Sequence, residues 1–239
     1  MAEPLSFDEL NRLGRPTVTI RRSLPEDPFS RADAALRTYE RRVSRAFSRM
    51  RSRLSVATDL YAMLEIVYGT YSTMRSDYVD CLGICWRRGY SAMTGADPGA
   101  QRASGAVSAF MSSYAMPERY VPDSEWQRKR ARAGESIVAA SGLSRGAASP
   151  DRGAVGEAVE TSKRAWGTQL RQGSDDMAAA GMLAALMDAG TERVVYKTAR
   201  DERVCGVCSP RDGKVYDISE APSLPEHYRC RCYYVPYQA

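Results

Sequence analysis

From Leu36 to Leu54 the apolar positions Leu36, Tyr39, Val43, Ala46, Phe47, Met50 and Leu54 recur every three or four residues. That period lays one apolar stripe along an α-helix. The other face carries Arg37, Arg41, Arg42, Arg45, Arg49 and Arg53 among only a few acids. Asp27-Pro28 reads as an N-cap followed by proline at the first helical position, so the helix is predicted to open there. Prolines at 16, 25 and 28 break any earlier helix. Residues 1–26 therefore read as an irregular arm, with Thr17-Val18-Thr19-Ile20 as a candidate short strand.

The next segment has the cleanest period in the chain. Leu60, Leu64, Val67, Tyr71, Met74, Tyr78, Cys81 and Cys85 follow one another in alternating steps of four and three. A 3.5-residue repeat of this kind predicts a long helix, capped by Thr58 or Asp59, lying side by side with a partner. Joined near Ser55–Thr58, the two helices make an antiparallel hairpin spanning roughly Asp27–Met93. The stripe is satisfied either by the first helix or by another protein, which would make the hairpin an oligomeric or docking element. Cys81 and Cys85 fall on the seam and read as small buried apolar residues.

Gly95-Ala96-Asp97-Pro98-Gly99 is a turn, and a shorter helix is predicted from Ala100 to Tyr114, ended by Pro117. Residues 117–133 are polar, with Trp126 beside the basic run Arg128-Lys129-Arg130-Ala131-Arg132. Gly142 to Gly156 is rich in Gly, Ser, Ala and Pro and reads as a mobile link. Two helical stretches follow, near Val155–Leu170 and Asp175–Asp188, with Gly190 as C-cap. Asp175-Asp176 sits at the start of the second, where acids favour the helix dipole.

After Gly190 the period changes to two. In Glu192–Thr198, Val194 and Tyr196 face one side of a strand and Arg193 and Lys197 the other. Asp212-Gly213 is a tight-turn signal before a strand at Lys214–Tyr216, and a last strand is predicted through Cys230–Val235. The predicted organisation is an arm (1–26), a helical body with the hairpin (27–140), a linker with helices (141–190) and a small C-terminal domain (191–239). The fold class is mainly α, with that small C-terminal domain α/β or β-rich.

The chemistry sits in that last segment. Cys205-Gly206-Val207-Cys208 presents two thiols from one tight knuckle, and His227-Tyr228-Arg229-Cys230-Arg231-Cys232 supplies three more donors. Zinc takes four N or S ligands in a tetrahedron, so Cys205, Cys208, Cys230 and one of His227 or Cys232 are the expected set. A filled tetrahedron has no place for a reacting water, which makes the ion structural. About fifty residues with few large apolar side chains are too few to fold on a core alone, and a metal supplies the deficit.

Charge adds one further feature. The net charge is +5, and lysine stands only at 129, 163, 197 and 214 among 34 basic residues, so the basic side is nearly all arginine. Arginine grips phosphate and carboxylate in a planar fork, and the face at 37, 41, 42, 45, 49 and 53 is a candidate contact for nucleic acid or an acidic partner. Six cysteines without an apolar secretory segment in Met1–Gly14 argue against a disulfide framework. No stretch approaches the ~20 apolar residues of a membrane span. The one histidine is committed to the cysteine cluster, and no phosphate loop, Gly-x-Gly-x-x-Gly or His-Glu-x-x-His is present, so no enzyme is expected.

The run DERVCGVCSPRDGKVYD…LPEHYRCRCYYVP resembles the C-terminal signature of the phage Mu F-like minor head proteins. The family's pattern falls on Asp201, Cys205, Cys208, Asp212-Gly213, Pro225, His227 and Cys230-Arg231-Cys232, over residues 190–236. Tyr228 stands where that family usually has proline. The resemblance implies a virion component of the head interior or portal region, present in few copies and found in the host cytoplasm during assembly. Its implied partners are the portal protein, the major capsid protein, packaged DNA and further copies of itself, with no membrane. Its implied work is head assembly and DNA packaging or delivery. The alternative readings are a free zinc-binding nucleic-acid-binding protein and a small enzyme with an open metal position.

Overall fold

A computed structural model describes residues 18–21, 24–25, 27–112, 122–198, 206–227 and 230–238. Among these, five α-helices precede a three-stranded antiparallel sheet. They are α1 (Ser30–Leu54), α2 (Leu60–Thr94), α3 (Ala100–Ser112), α4 (Pro122–Ser141) and α5 (Arg152–Asp188). The strands are β1 (Arg193–Lys197), β2 (Val215–Asp217) and β3 (Tyr233–Pro236), in spatial order β2-β1-β3. No described helix is long and apolar enough to cross a membrane.

The apolar stripe of α1 is buried along its whole length, from Ala32 through Leu36, Tyr39, Val43 and Phe47 to Leu54. The helix opens two residues later than Asp27-Pro28 suggests. Asp27 Oδ1 accepts the Phe29 N–H at 2.9 Å within a turn, and regular helix starts at Ser30. Residues 18–20 form no strand, and Thr17 lies outside the described residues.

Asp59 caps α2 by accepting the Ala62 N–H at 2.9 Å, and Gly95 ends it in a left-handed conformation at φ 80°. The predicted seam from Val67 to Cys85 is buried, but Leu60 and Leu64 are only half-buried. Met63, Ile66, Leu82, Trp86 and Tyr90 are buried beside the seam, because α2 is surrounded rather than paired along one line. Its partners are α1, α3, α4 and, above all, α5. The heptad stripe is thus satisfied within the chain. Phe47 of α1 meets Tyr71 edge-on, and Trp166 of α5 stands edge-on to both Tyr71 and Tyr78 at 5.6 and 5.7 Å.

The largest departure from the sequence reading lies in residues 141–190. The predicted link and two helices are one short loop and one 37-residue helix. The loop folds back on itself, with the Asp151 N–H donating to the Ser141 carbonyl at 2.9 Å and a 3₁₀ turn at Leu143–Arg145. Asp151 then caps α5. Arg152 donates to the carbonyls of Leu54 and Ala57, satisfying the open end of α1. Asp175 and Asp176 lie in the buried interior of α5, not at a helix start. Two glycines inside the helices are close-approach points. A Cβ at Gly181 would lie 2.0 Å from the Trp86 carbonyl oxygen, and one at Gly89 equally close to that of Ala178. The intimate α2–α5 crossing offsets the propensity cost of glycine in a helix.

α3 ends at Ser112 among the described residues, and the expected stop at Pro117 lies outside them. The polar stretch with Trp126 is the first half of α4, where Trp126 is buried and Arg75 pairs with Asp123 at 2.8 Å. Gly190 turns the chain out of α5 at φ 66° into β1. Val194 and Tyr196 of β1 are both fully buried, as the alternation requires, and β3 packs on α5. One continuous apolar core joins the bundle to the sheet.

Candidate metal centre

The sheet positions the cysteines. β1 is central, so its inner face can be covered from both flanks. The Asp212-Gly213 turn brings the chain back beside β1, with the Gly213 N–H donating to the Tyr196 carbonyl and Asp212 Oδ1 accepting the Thr198 N–H, both at 2.9 Å. This places Cys208, which starts the 3₁₀ turn Ser209–Arg211, over the end of β1. Cys230 and Cys232 approach from the other flank. They precede β3 rather than lying on the predicted strand, because the ladder with β1 ends at the Lys197–Tyr233 pair and earlier residues have no strand to pair with.

The Sγ atoms of Cys208, Cys230 and Cys232 lie within 4.8 Å of one another, and all three side chains are buried. Cys208 and Cys230 are 3.9 Å apart, and His227 Nε2 is 3.0 Å from Cys208 Sγ. The Cys230 N–H donates to the His227 carbonyl at 3.1 Å, so a tight turn presents both residues to one point. Around a tetrahedral ion with metal–sulfur bonds of about 2.3 Å, neighbouring sulfurs sit ~3.8 Å apart and sulfur and nitrogen ~3.6 Å apart. The Cys208–Cys230 separation fits that frame, whereas the His227–Cys208 contact is closer than two ligands of one ion stand. Among the described residues this is the group of metal-ligating side chains able to hold an ion. Of His227 and Cys232, between which the spacing could not choose, Cys232 belongs to the group of three thiols and His227 contacts Cys208. Cys205 lies outside the described residues.

The thiols are unequal. Cys230 is pulled down to about 6, first because the Cys232 thiol donates to it and further by the charge of His227, against the opposing effect of burial. Cys232 is pushed up by the same contact and by burial. The two thiols therefore differ in how readily they lose a proton, and a bound cation would favour the loss of both.

Two contributors carry no metal-ligand signal in the sequence. Tyr196 points its fully buried hydroxyl toward the cluster, and burial, together with Cys208 and Cys232, raises its pKa. Its period-two position on the inner face of β1 was the available clue. Arg231, between the two cysteines, faces the opposite way. It pairs with Asp33 at 3.0 Å and Asp27 at 3.5 Å and stacks over the Phe29 ring at 4.7 Å, so the cysteine pair is tied to the start of α1. On the far side of the segment, Arg211 pairs with Glu226, next to His227.

The six arginines of the predicted contact face lie apart from this centre. Arg37, Arg41, Arg42, Arg45, Arg49 and Arg53 are all exposed on α1, and Arg42 pairs with Asp77 at 3.0 Å. Comparison of the chain with protein-family models, curated proteins and solved structures finds no match.

Proposed function

We propose that the chain is a minor head protein of a tailed virus or provirus, acting near the portal, with a C-terminal sheet held by a structural zinc ion. The observation that carries this reading is the clustering of Cys208, Cys230 and Cys232, with His227 set against Cys208. These residues form much of the signature that resembles the Mu F-like family, and separate stretches of chain bring them to one point. Zinc suits thiolate and imidazole donors in a tetrahedron. With every position filled by protein, the ion holds the fold and the chain is no enzyme. Its partners are the portal and major capsid proteins, packaged DNA and further copies of itself. Tyr71 and Met74 are buried, so portal docking uses an outer surface and not the heptad stripe.

The test is incorporation. The tagged chain should sediment with heads assembled from its own genome and bind an isolated portal ring, and the purified protein should hold about one zinc per chain by mass spectrometry. A chain absent from particles yet bound to DNA in extracts is the free zinc-binding nucleic-acid protein, a reading that the exposed arginines favour. A cobalt-substituted spectrum showing three protein ligands and a water would favour the enzyme reading.

A further inference from the structure

α1 carries eight arginines and two acids between residues 30 and 54. Both acids are engaged by arginines of other segments, Asp33 by Arg231 and Glu40 by Arg171. Arg42 and Arg51 are drawn aside to Asp77 and Glu160, and Arg31 stands off in the first turn. What is left is a row: Arg37, Arg41, Arg45, Arg49 and Arg53, one every fourth residue. All five are exposed, and none forms an ion pair with a described carboxylate. Residues at this spacing form one ridge inclined about 26° to the helix axis. From Arg37 to Arg53 the ridge rises ~24 Å and winds ~160° around the helix, so its middle three, Arg41, Arg45 and Arg49, face one partner together.

Ser44, Ser48 and Ser52 form a second ridge beside it. The hydroxyls of Ser48 and Ser52 donate to the carbonyls of Ser44 and Ser48 at 3.0 and 3.2 Å, which folds them down onto the helix. The result is a low polar floor flanked by guanidinium groups. The large apolar side chains exposed among the described residues are Val56, Tyr61, Met187, Val207, Val215 and Tyr237, and none of them belongs to α1.

These features select the partner. A protein partner needs apolar or aromatic anchors that bury at the centre of the contact, and this face offers none. A repeating anion needs only evenly spaced forks over a floor low enough for its backbone to approach. Duplex DNA presents one charge per ~1.7 Å of axis, so a ~24 Å row meets several phosphates whatever the sequence. The short serines cannot reach base edges, so contacts of this kind position without reading sequence.

We propose that the Arg37–Arg53 ridge of α1 is a sequence-independent docking surface for the sugar–phosphate backbone of duplex DNA. This goes beyond the head-protein reading, since it holds for the chain inside a particle or free. The experiment is fluorescence anisotropy of the full chain with a labelled duplex of random sequence, across a salt series. Three phosphate contacts, from Arg41, Arg45 and Arg49, give a log–log slope of about −2.7, and unrelated duplexes bind alike. The triple variant Arg41→Gln, Arg45→Gln, Arg49→Gln should lose at least ~10-fold in affinity, with a slope shallower by about 2.7. Arg128→Gln with Arg132→Gln on α4 should leave both unchanged. Circular dichroism confirms the fold of each variant, and glutamine keeps the helix propensity of arginine. A flat salt response overturns the proposal, as does a folded triple variant with the wild-type slope. Tighter binding of poly-glutamate than of the duplex at matched charge also overturns it, in favour of an acidic protein partner. Any of these failures leaves zinc content and particle incorporation as they were.

Discussion

Cys230, Arg231 and Cys232 divide their work by direction, the two thiols facing Cys208 and the guanidinium facing Asp33 and Phe29. Each ligand sits on a different local device: a 3₁₀ turn for Cys208, a tight turn for His227 and Cys230, and the approach to β3 for Cys232. Removing one sulfur therefore leaves the others where they are but takes a donor from any ion the cluster holds. Cys208→Ser and Cys230→Ser should each drop metal content from about one per chain to near zero, read by mass spectrometry of protein purified without chelators. His227→Ala and Cys232→Ser separate the two remaining candidates. The one that keeps its metal is not a ligand, and its place is then Cys205's. A second residue-scale expectation concerns Asp97, held down to about 2 by Arg87 and by the N–H of Gly99. Because its pKa is depressed, its contribution is full above the ordinary carboxylate value and fades as pH falls toward 2. The pair is largely exposed, so Asp97→Asn should cost no more than about 0.5 kcal/mol at pH 6 and nothing at pH 2. Urea melts at the two pH values measure the difference.

Among the elements, α2 and α5 set the tolerance of the fold, since backbone meets backbone where they cross. Gly181→Ala would push a Cβ to 2.0 Å from the Trp86 carbonyl oxygen, which the helices can relieve only by moving apart. A cost of about 1–3 kcal/mol or more is expected, as for other overpacked cores. Gly167, on the same helix, has nothing within 4 Å of a built Cβ, so Gly167→Ala should instead stabilise by up to ~1 kcal/mol. Opposite signs at two glycines of one helix, read from thermal melts, test the crossing; equal signs would refute it. A second element-scale expectation follows from Arg231, which ties the metal segment to the first turn of α1. Its side chain is 19% exposed, its two carboxylates come from residues 27 and 33, and it covers the buried ring of Phe29. Arg231→Ala should raise amide hydrogen exchange in residues 27–36 while leaving metal content unchanged. Arg231→Lys should restore the charge but not the stacked fork.

For the whole molecule, the helical bundle has its own core of α1, α2 and α5 around Trp166, whereas the sheet has short strands and the cysteine cluster. Chelation should therefore expose residues 191–238 to protease while far-UV circular dichroism keeps the bundle's helicity, and hydrogen exchange at the start of α1 should rise with it. A structural ion contributes on the order of 10 kcal/mol in small sites, more than the sheet can supply from apolar burial. If the tail stays protected in metal-free protein, the metal has no structural role. Much of this organisation was legible locally. The stripe of α1, the seam of α2 from Val67 to Cys85, the alternation of Val194 and Tyr196, and the Asp212-Gly213 turn each follow from a period or a turn residue that acts over a few positions. The candidate ligands were legible for the same reason, since zinc chemistry restricts the donor types and the spacing restricts the knuckle. What only the tertiary structure decided involves residues far apart in the chain. The Gly-Ser-Ala-rich run 142–156 and the gap at 171–174, with Gly173, read as breaks, because propensity counts the cost of glycine but not the close packing that offsets it. Whether the α2 stripe faced inward or toward another protein depended on α5 lying across it. That Arg231 would clasp Asp33, 198 residues away, depended on the sheet docking at the start of α1. Local periodicity determines the elements and the donor types, and the burial shared between distant segments determines how they meet.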